Sequence, residues 1–333
     1  MADVQTMAVL ARQPGDPARL GRWLVLGRAG EGSGTVVYEV TDGRGVRGAL
    51  KTVRPGESAR PVAWRLHGEA AALRRAGTAG VVRLQEDGSA APQPYLVVEW
   101  VKGPSLEELL ARRGPLDANQ VATLGTLLAD VLGRIHRRGV AHGDLKPANV
   151  LCPDAGPILI DFDAARLFDV AGGSPRPGPD RAGSWSRARR SRFALAGAAD
   201  SCDSSGWELV AAAAPSRGQT LELEETREMS LRATPRWLAP ELARGEPSDG
   251  AADVFSLGAL LVYLSTERFP FGSGRTDEVL YRIVHETADL TGVGPTLLPI
   301  VQACLHKHPA DRPSAYQVAR ALLPQRQRPR LVA

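Results

Sequence analysis

The sequence predicts an α+β protein of two lobes. A small lobe carries a five-stranded antiparallel sheet and one long helix, and a larger lobe is mainly helical. Three observations lead there. Short β-rich runs separated by glycine clusters crowd the first hundred residues. One helical pattern interrupts them. Nearly every periodic segment beyond residue 102 is helical. The 333 residues allow two ordinary domains or one bilobed one. With 43% hydrophobic and 23% charged residues the chain can bury a core, which excludes wholesale disorder.

Residues 1–20 are punctuated by Pro, Gly and Asp and read as a loose leader. Residues 23–27, 35–40 and 48–53 read as strands joined by tight turns, 60–76 as a helix, and 81–84 and 95–100 as two more strands. Ser105-Leu-Glu-Glu108 has the spacing of a capping box and starts a helix. Residues 117–138 keep a helical apolar period through Val121, Leu124, Leu128, Val131, Leu132 and Ile135. Residues 254–264 are apolar nearly all round, which predicts a buried helix. Ser314-Ala-Tyr-Gln317 caps a last helix. Between these, about 170–230, lies a stretch rich in Gly, Ser, Ala, Pro and Arg that reads as an insertion, its arginines (176–192) preceding its acidic residues. The organisation is then a leader (1–20), one bilobed unit (21–324, divided as 21–101 and 102–324) and a polar tail (325–333).

Several function classes are excluded. The longest strongly apolar run, 254–264, is far short of the ~20 residues of a membrane-spanning helix. Asp3 and the short apolar run 7–11 do not make a secretory signal. No membrane anchor and a cytoplasmic location are therefore expected. Cys152, Cys202 and Cys304 form no Cys-x-x-Cys pair, so reduced thiols are expected and no zinc site. A net charge of +4 with 5% aromatic residues gives no reason to expect a nucleic-acid partner.

Only four lysines stand among 41 basic residues: Lys51, Lys102, Lys146 and Lys307. Where arginine is the habitual cation, a retained lysine suggests a need for an ammonium point charge. Two of the four fall in the segments that carry chemistry. Gly27-Arg-Ala-Gly30-Glu-Gly32-Ser-Gly34-Thr35 lies between two strands, where glycines let successive backbone N–H groups approach a phosphate. A glycine-rich hairpin turn alone would look the same. Lys51 on the following strand lies beneath this loop, and Glu69 on the helix could hold it. Farther on come His142-Gly-Asp144-Leu-Lys146-Pro-Ala-Asn149-Val-Leu151 and Asp161-Phe-Asp163. Asn149 and Asp161 offer the hard oxygen ligands magnesium takes, and Asp144 can orient or accept a hydroxyl proton.

With these residues in this order, the chain resembles a eukaryotic-type (bacterial Hanks-type) serine/threonine protein kinase over about residues 22–324. Further segments match at family spacing. Val98-Glu-Trp-Val101 resembles the hinge that meets adenine, with Val98 as gatekeeper. Thr234-Pro-Arg-Trp-Leu-Ala-Pro-Glu241 resembles the end of the activation segment. Asp253-Val-Phe-Ser-Leu-Gly258 resembles the buried helix start that anchors the catalytic loop, and Arg312 is the arginine expected to pair with Glu241. The resemblance implies ATP and Mg2+ as cofactors, with Mn2+ as the alternative, and Ser/Thr hydroxyls of proteins as acceptors, autophosphorylation included. It implies that Gly30, Gly32, Gly34 and Thr35 cover the phosphates, and that Val37, Ala49 and Leu151 enclose adenine beside Val98, Glu99 and Val101. Lys51 contacts the phosphates and pairs with Glu69. Asp144 is the catalytic aspartate, Lys146 neutralises the γ-phosphate, and Asn149 and Asp161 hold the metal. Leu73, Leu84, Phe162 and His142 stack as a spine, and Thr234 faces the substrate hydroxyl.

Three positions and the length of one segment depart from the family pattern. Thr35 stands at the third loop glycine. Gly143 replaces the arginine that in the family docks a phosphorylated loop residue, so activity is expected not to depend on that docking. Asp163 replaces the glycine after Asp161-Phe162, with simple tolerance or an extra carboxylate at the metal as alternatives. The segment from Asp161 to Glu241 is two or three times the usual length. Three functions are carried forward: an active protein kinase, a nucleotide-binding pseudokinase scaffold, and a small-molecule phosphotransferase of related fold. The five chemical residues Lys51, Glu69, Asp144, Asn149 and Asp161 favour the first. Substrate identity, activating signal and oligomeric state are not written in the sequence.

Overall fold

The computed structural model describes residues 9–32, 34–170 and 235–323. The small lobe is a single antiparallel sheet. Its strands are β1 (Arg19–Leu20), β2 (Trp23–Glu31), β3 (Thr35–Thr41), β4 (Arg47–Val53), β5 (Leu84–Gly88) and β6 (Tyr95–Glu99), in the order β1-β2-β3-β4-β6-β5. Side chains alternate across the sheet with period two. Trp23, Val36, Tyr38, Val40, Leu50, Tyr95 and Val97 bury one face in a cluster of their own. Val37, Ala49 and Lys51 belong to the half-covered opposite face, which lines the space between the lobes. The helix α1 (Ala59–Ala76) buries Val62, Leu66, Glu69, Ala70 and Leu73, residues that recur three or four apart and so share one stripe.

Three details correct the sequence reading. The leader is not loose throughout, since residues 10–20 fold onto the sheet. Leu10 and Arg28 exchange backbone N–H to carbonyl bonds of 2.8 Å. The Asp16 side chain, fully covered, accepts from Arg28 Nε (2.8 Å) and Nη2 (2.6 Å) and from the Tyr38 hydroxyl (2.6 Å). A covered carboxylate needs such donors, and the guanidinium fork supplies two at once. The sheet has six strands rather than five, because Arg19–Leu20 doubles back on Trp23 and Leu24. The strand expected at 81–84 begins only at Leu84. Val81 bridges instead to Leu159 of the large lobe, and Val82 N–H donates to the Leu159 carbonyl at 3.0 Å, so this segment is spent joining the lobes.

The large lobe holds α2 (Leu106–Arg113), α3 (Ala118–His136), α4 (Pro240–Ala243), α5 (Gly250–Thr266), α6 (Thr276–His285), α7 (Leu298–Cys304) and α8 (Ala315–Leu322). The capping boxes at Ser105–Glu108 and Ser314–Gln317 form as expected. Asp117 caps α3 from outside rather than beginning it. Helix α5 is buried almost end to end, and α3 packs against it and α8. Two short two-stranded antiparallel sheets, β7 (Val140–Ala141) with β10 (Arg166–Leu167) and β8 (Val150–Leu151) with β9 (Ile158–Leu159), frame the loop between the lobes. Cys152 and Cys304 are free thiols. Among the described residues no helix is long and apolar enough to cross a membrane. The insertion at 170–230 falls, apart from its first residue, outside the described residues. Cys202, Thr234 and the 325–333 tail lie outside them too.

Candidate active site

A cleft of about 960 Å3 opens between the lobes. Strand β4 brings Lys51 to its centre. Lys51 Nζ lies 3.0 Å from Glu69 Oε2 on α1 and 2.7 Å from Asp161 Oδ1 in the large lobe. The other Glu69 oxygen, Oε1, accepts the Phe162 N–H at 3.2 Å. One ammonium and one carboxylate thus tie sheet, helix and interlobe loop together. Burial by itself disfavours the Lys51 charge, but the Asp161, Glu69 and Asp163 carboxylates outweigh it and raise its pKa, so Lys51 stays protonated. Burial raises Glu69, Lys51 opposes this, and the neighbouring Asp161 and Asp163 add to the rise. Asp161 goes the other way: burial is overcome by Lys51, which keeps it ionised.

The large-lobe half of the site hangs from one buried carboxylate. Asp253, in the first turn of α5, accepts the backbone N–H groups of His142 and Gly143 at 2.8 Å each, and its Oδ2 lies 2.7 Å from His136 Nε2. The loop so fixed presents Asp144. Lys146 Nζ reaches Asp144 Oδ2 at 2.6 Å, and Asn149 Nδ2 donates to the same oxygen at 3.0 Å and to the Asp144 carbonyl at 2.9 Å. Burial raises the Asp144 pKa against the pull of Lys146. Asn149 uses its amide nitrogen here and keeps Oδ1 as an acceptor. Asp161 adopts φ +62°, a left-handed conformation uncommon outside glycine, while its side chain remains 39% exposed.

The glycine-rich segment forms the β2–β3 hairpin. Gly32 N–H donates to the Thr35 carbonyl at 2.9 Å and closes the turn. The left-handed residue is Gly34, at φ +73°. Thr35 already belongs to β3, pairs with Val53 and is buried, so its position makes no demand that only glycine can meet. Gly34 is the one predicted loop residue that does not line the cleft, while Gly30, Gly32 and Thr35 do. Val37, Ala49, Val98, Glu99, Val101 and Leu151 line it as well. Ala49 stands opposite Val98 in the β4–β6 ladder. The His142 and Phe162 rings meet edge to face at 4.7 Å, with Leu73 and Leu84 in the same core.

The profile of the protein kinase domain matches residues 23–174 and 218–322. The chain belongs to the protein kinase family. Its match leaves out 175–217, within the insertion read from composition. Similar proteins include the serine/threonine-protein kinase AfsK of Streptomyces coelicolor, 30% identical over 312 residues, 93% of this chain and 32% of that protein. PkaA of the same organism, also named a serine/threonine-protein kinase, is 33% identical over 232 residues, 68% of this chain and 33% of that protein. The serine/threonine-protein kinase PknL of Mycobacterium tuberculosis is 27% identical over 312 residues, 90% of this chain and 65% of that protein. The kinase domain thus spans about a third of the length of the Streptomyces relatives it matches.

In this kinase domain Gly143 sits at φ +80°, and a Cβ there would stand 2.2 Å from the Ala164 carbonyl oxygen. The loop runs too close to the segment after Asp163 for a side chain in this conformation. The buried Glu241–Arg312 pair expected from sequence is present and bidentate, at 2.6 and 2.7 Å. Sequence reasoning missed Leu96 and Ile160 among the lining residues, and it missed an ion pair between Arg65 and Asp163. The signal for that pair was available: Arg65 lies one helical turn before Glu69, and Asp163 two residues after Asp161.

The donor set suits a divalent cation that accepts few protein ligands. Asn149 Oδ1 and the Asp161 carboxylate are hard oxygens. Among the described residues no group of three or more His, Cys, Asp or Glu could hold a metal unaided.

Proposed function

We propose that this kinase domain transfers the γ-phosphoryl group of ATP to serine and threonine hydroxyls of proteins, its own included, with Mg2+ as the working metal. The observation that carries the reading is Lys51 bound at once to Glu69 and Asp161, in the cleft that also gathers Asp144, Lys146 and Asn149. Phosphoryl transfer needs little covalent help from a protein; positioning and charge neutralisation do most of it.

In this reading Val37, Ala49 and Leu151 grip the adenine ring, and Val98, Glu99 and Val101 border it along the hinge. The backbone of Gly30 and Gly32 covers the phosphates. Lys51 orients the α- and β-phosphates, and Glu69 keeps Lys51 in place. Asn149 and Asp161 would hold the metal, whose charge offsets that of the phosphate oxygens. The substrate hydroxyl oxygen forms the new bond to the γ-phosphorus as the bond to the β,γ-bridging oxygen breaks and ADP leaves. Asp144 orients the hydroxyl and takes its proton, and Lys146 stands beside the transferring group. The serine/threonine preference rests on Lys146, two residues after Asp144. Gly143 offers no side chain to a phosphorylated loop, so the unphosphorylated protein is active. We read the domain as working in the cytoplasm, where ATP is supplied.

The test is purified protein with labelled ATP and Mg2+, offered Ser/Thr and Tyr peptides, beside Asp144→Asn. Label on serine and threonine, with turnover lowered by about 10²–10⁴-fold in the variant, is expected. Equal labelling by both proteins, or none by the wild type, overturns the reading.

A further inference from the structure

Glu69 joins α1 to the interlobe loop. One turn earlier, Arg65 Nη1 stands 3.3 Å from Asp163 Oδ2, with the two side chains only 14% and 29% exposed. The same guanidinium reaches under the glycine-rich turn: a Cβ on Gly34 would lie 3.6 Å from Arg65 Nη2. Residues four apart on a helix share a face and are separated by about 6 Å along its axis. The loop from Asp161 to Asp163 is therefore fastened to α1 at two rungs, Glu69 with Lys51, Asp161 and the Phe162 N–H, and Arg65 with Asp163. A single rung lets a helix pivot about it. Two rungs a turn apart fix both its rotation and its slide.

We infer that Arg65 and Asp163 are positioning residues, a fixed ionic clasp that seats α1 so that Glu69 meets Lys51 without a phosphorylated loop. The inference rests on the kinase reading above and deepens it. The position that is Asp163 here is glycine in the family pattern, where no side chain could form this rung. The loss of the docking arginine at Gly143 removes a route by which an added phosphate could hold the site. Asp163 supplies a permanent anion in the same neighbourhood. A role for Asp163 as an extra metal ligand would also use a carboxylate, and its Oδ1 has no hydrogen-bond partner among the described residues. The engagement of Oδ2 by Arg65 favours the clasp.

The experiment uses the full chain carrying Arg65→Gln, Asp163→Asn, both together, Arg65→Lys, and the exchange Arg65→Asp with Asp163→Arg. Peptide phosphorylation and amide exchange across residues 59–76 are followed in each, the latter without nucleotide or metal. Each neutral variant should lower kcat/KM by about fivefold, as fits a partly exposed ion pair. The double variant should be no worse than either single one, Arg65→Lys should keep most of the activity, and the exchanged pair should recover part of it. Amide exchange in α1 should quicken equally in both neutral variants while Tm stays unchanged. Unchanged α1 exchange overturns the clasp. So does an altered Mg2+ half-saturation in Asp163→Asn with none in Arg65→Gln, which would make Asp163 a metal ligand. If the wild type transfers no phosphate, the kinase reading fails, and α1 exchange still decides the clasp.

Discussion

Replacing Asp253 should cost the protein more than any other single carboxylate in the catalytic half of the cleft. Its two oxygens take the His142 and Gly143 N–H groups and the His136 ring nitrogen, and the side chain is 1% exposed. Asp253→Ala strands two amides, His142 buried and Gly143 partly buried, each worth about 1–3 kcal/mol when left without an acceptor. His136 is 15% exposed and can turn to water, so it adds little. The sum is about 2–6 kcal/mol, a large part of the 5–15 kcal/mol typical of a folded protein. Asp253→Asn keeps one acceptor oxygen and the volume, and should cost roughly half as much. With a urea slope of about 3 kcal/mol/M, the alanine variant should unfold about 0.7–2 M earlier. Acid adds an independent readout. Burial pushes Asp253 up, but the His136 hydrogen bond and charge and the Gly143 N–H bring its pKa below the ordinary value. A lowered carboxylate stabilises the fold above the ordinary carboxylate range, and that stability is lost as pH falls through the lowered value. Wild-type stability should therefore decline at the acid end more steeply than that of Asp253→Asn. Since Gly143 immediately precedes Asp144, phosphoryl transfer should fall in both variants even where they remain folded. An Asp253→Ala protein within 1 kcal/mol of wild type would refute this account of how the loop is held.

Other perturbations probe neighbouring parts. Glu241→Gln leaves Arg312 buried without its counter-charge and should cost about 3–5 kcal/mol by denaturant titration, part of it recovered by adding Arg312→Met. Gly143→Ala must place a Cβ where the Ala164 carbonyl stands, at a left-handed φ, and should lose about 2–3 kcal/mol; an unchanged midpoint would mean that the loop moves aside freely. Lys51→Arg keeps the charge but not the compact ammonium that fits between Glu69 and Asp161. Its kcat/KM should fall by about tenfold or more, measured with saturating peptide.

The chemistry was legible because the residues that carry it come in short runs whose order along the chain is itself the signal. Asp144, Lys146 and Asn149 sit within six positions, and Lys51 and Glu69 occupy a strand and the helix after it. Contacts made across space between unremarkable residues were not legible. Nothing periodic links Asp16 to Arg28 and Tyr38, so the folded part of the leader read as loose. Val81 has a strand-like neighbourhood, yet its partner is Leu159 in the other lobe, and propensity does not choose partners. At the glycine-rich turn, counting assigned the substitution to Thr35, while backbone sterics put the demand on Gly34. Asp163 read as an isolated departure because its meaning depends on Arg65, nearly a hundred residues earlier.

The apolar interior of this molecule is divided unequally. Val53, Leu66, Leu73 and Leu96 of the small lobe belong to one cluster with Phe162, Leu132 and most of the apolar residues of α5, whereas Trp23, Tyr38, Leu50 and Val97 pack apart from it on the far side of the sheet. Heat should therefore not separate the molecule at its waist. The outer layer, capped by residues 10–20 and bordered by exposed Leu10, Leu24 and Leu26, can melt as a small unit of its own, while α1 and the large lobe fail together. Among the described residues, the first proteolytic nicks on warming should then fall before Gly27, and the sticky surface uncovered first should be the back of the sheet rather than the mouth of the cleft.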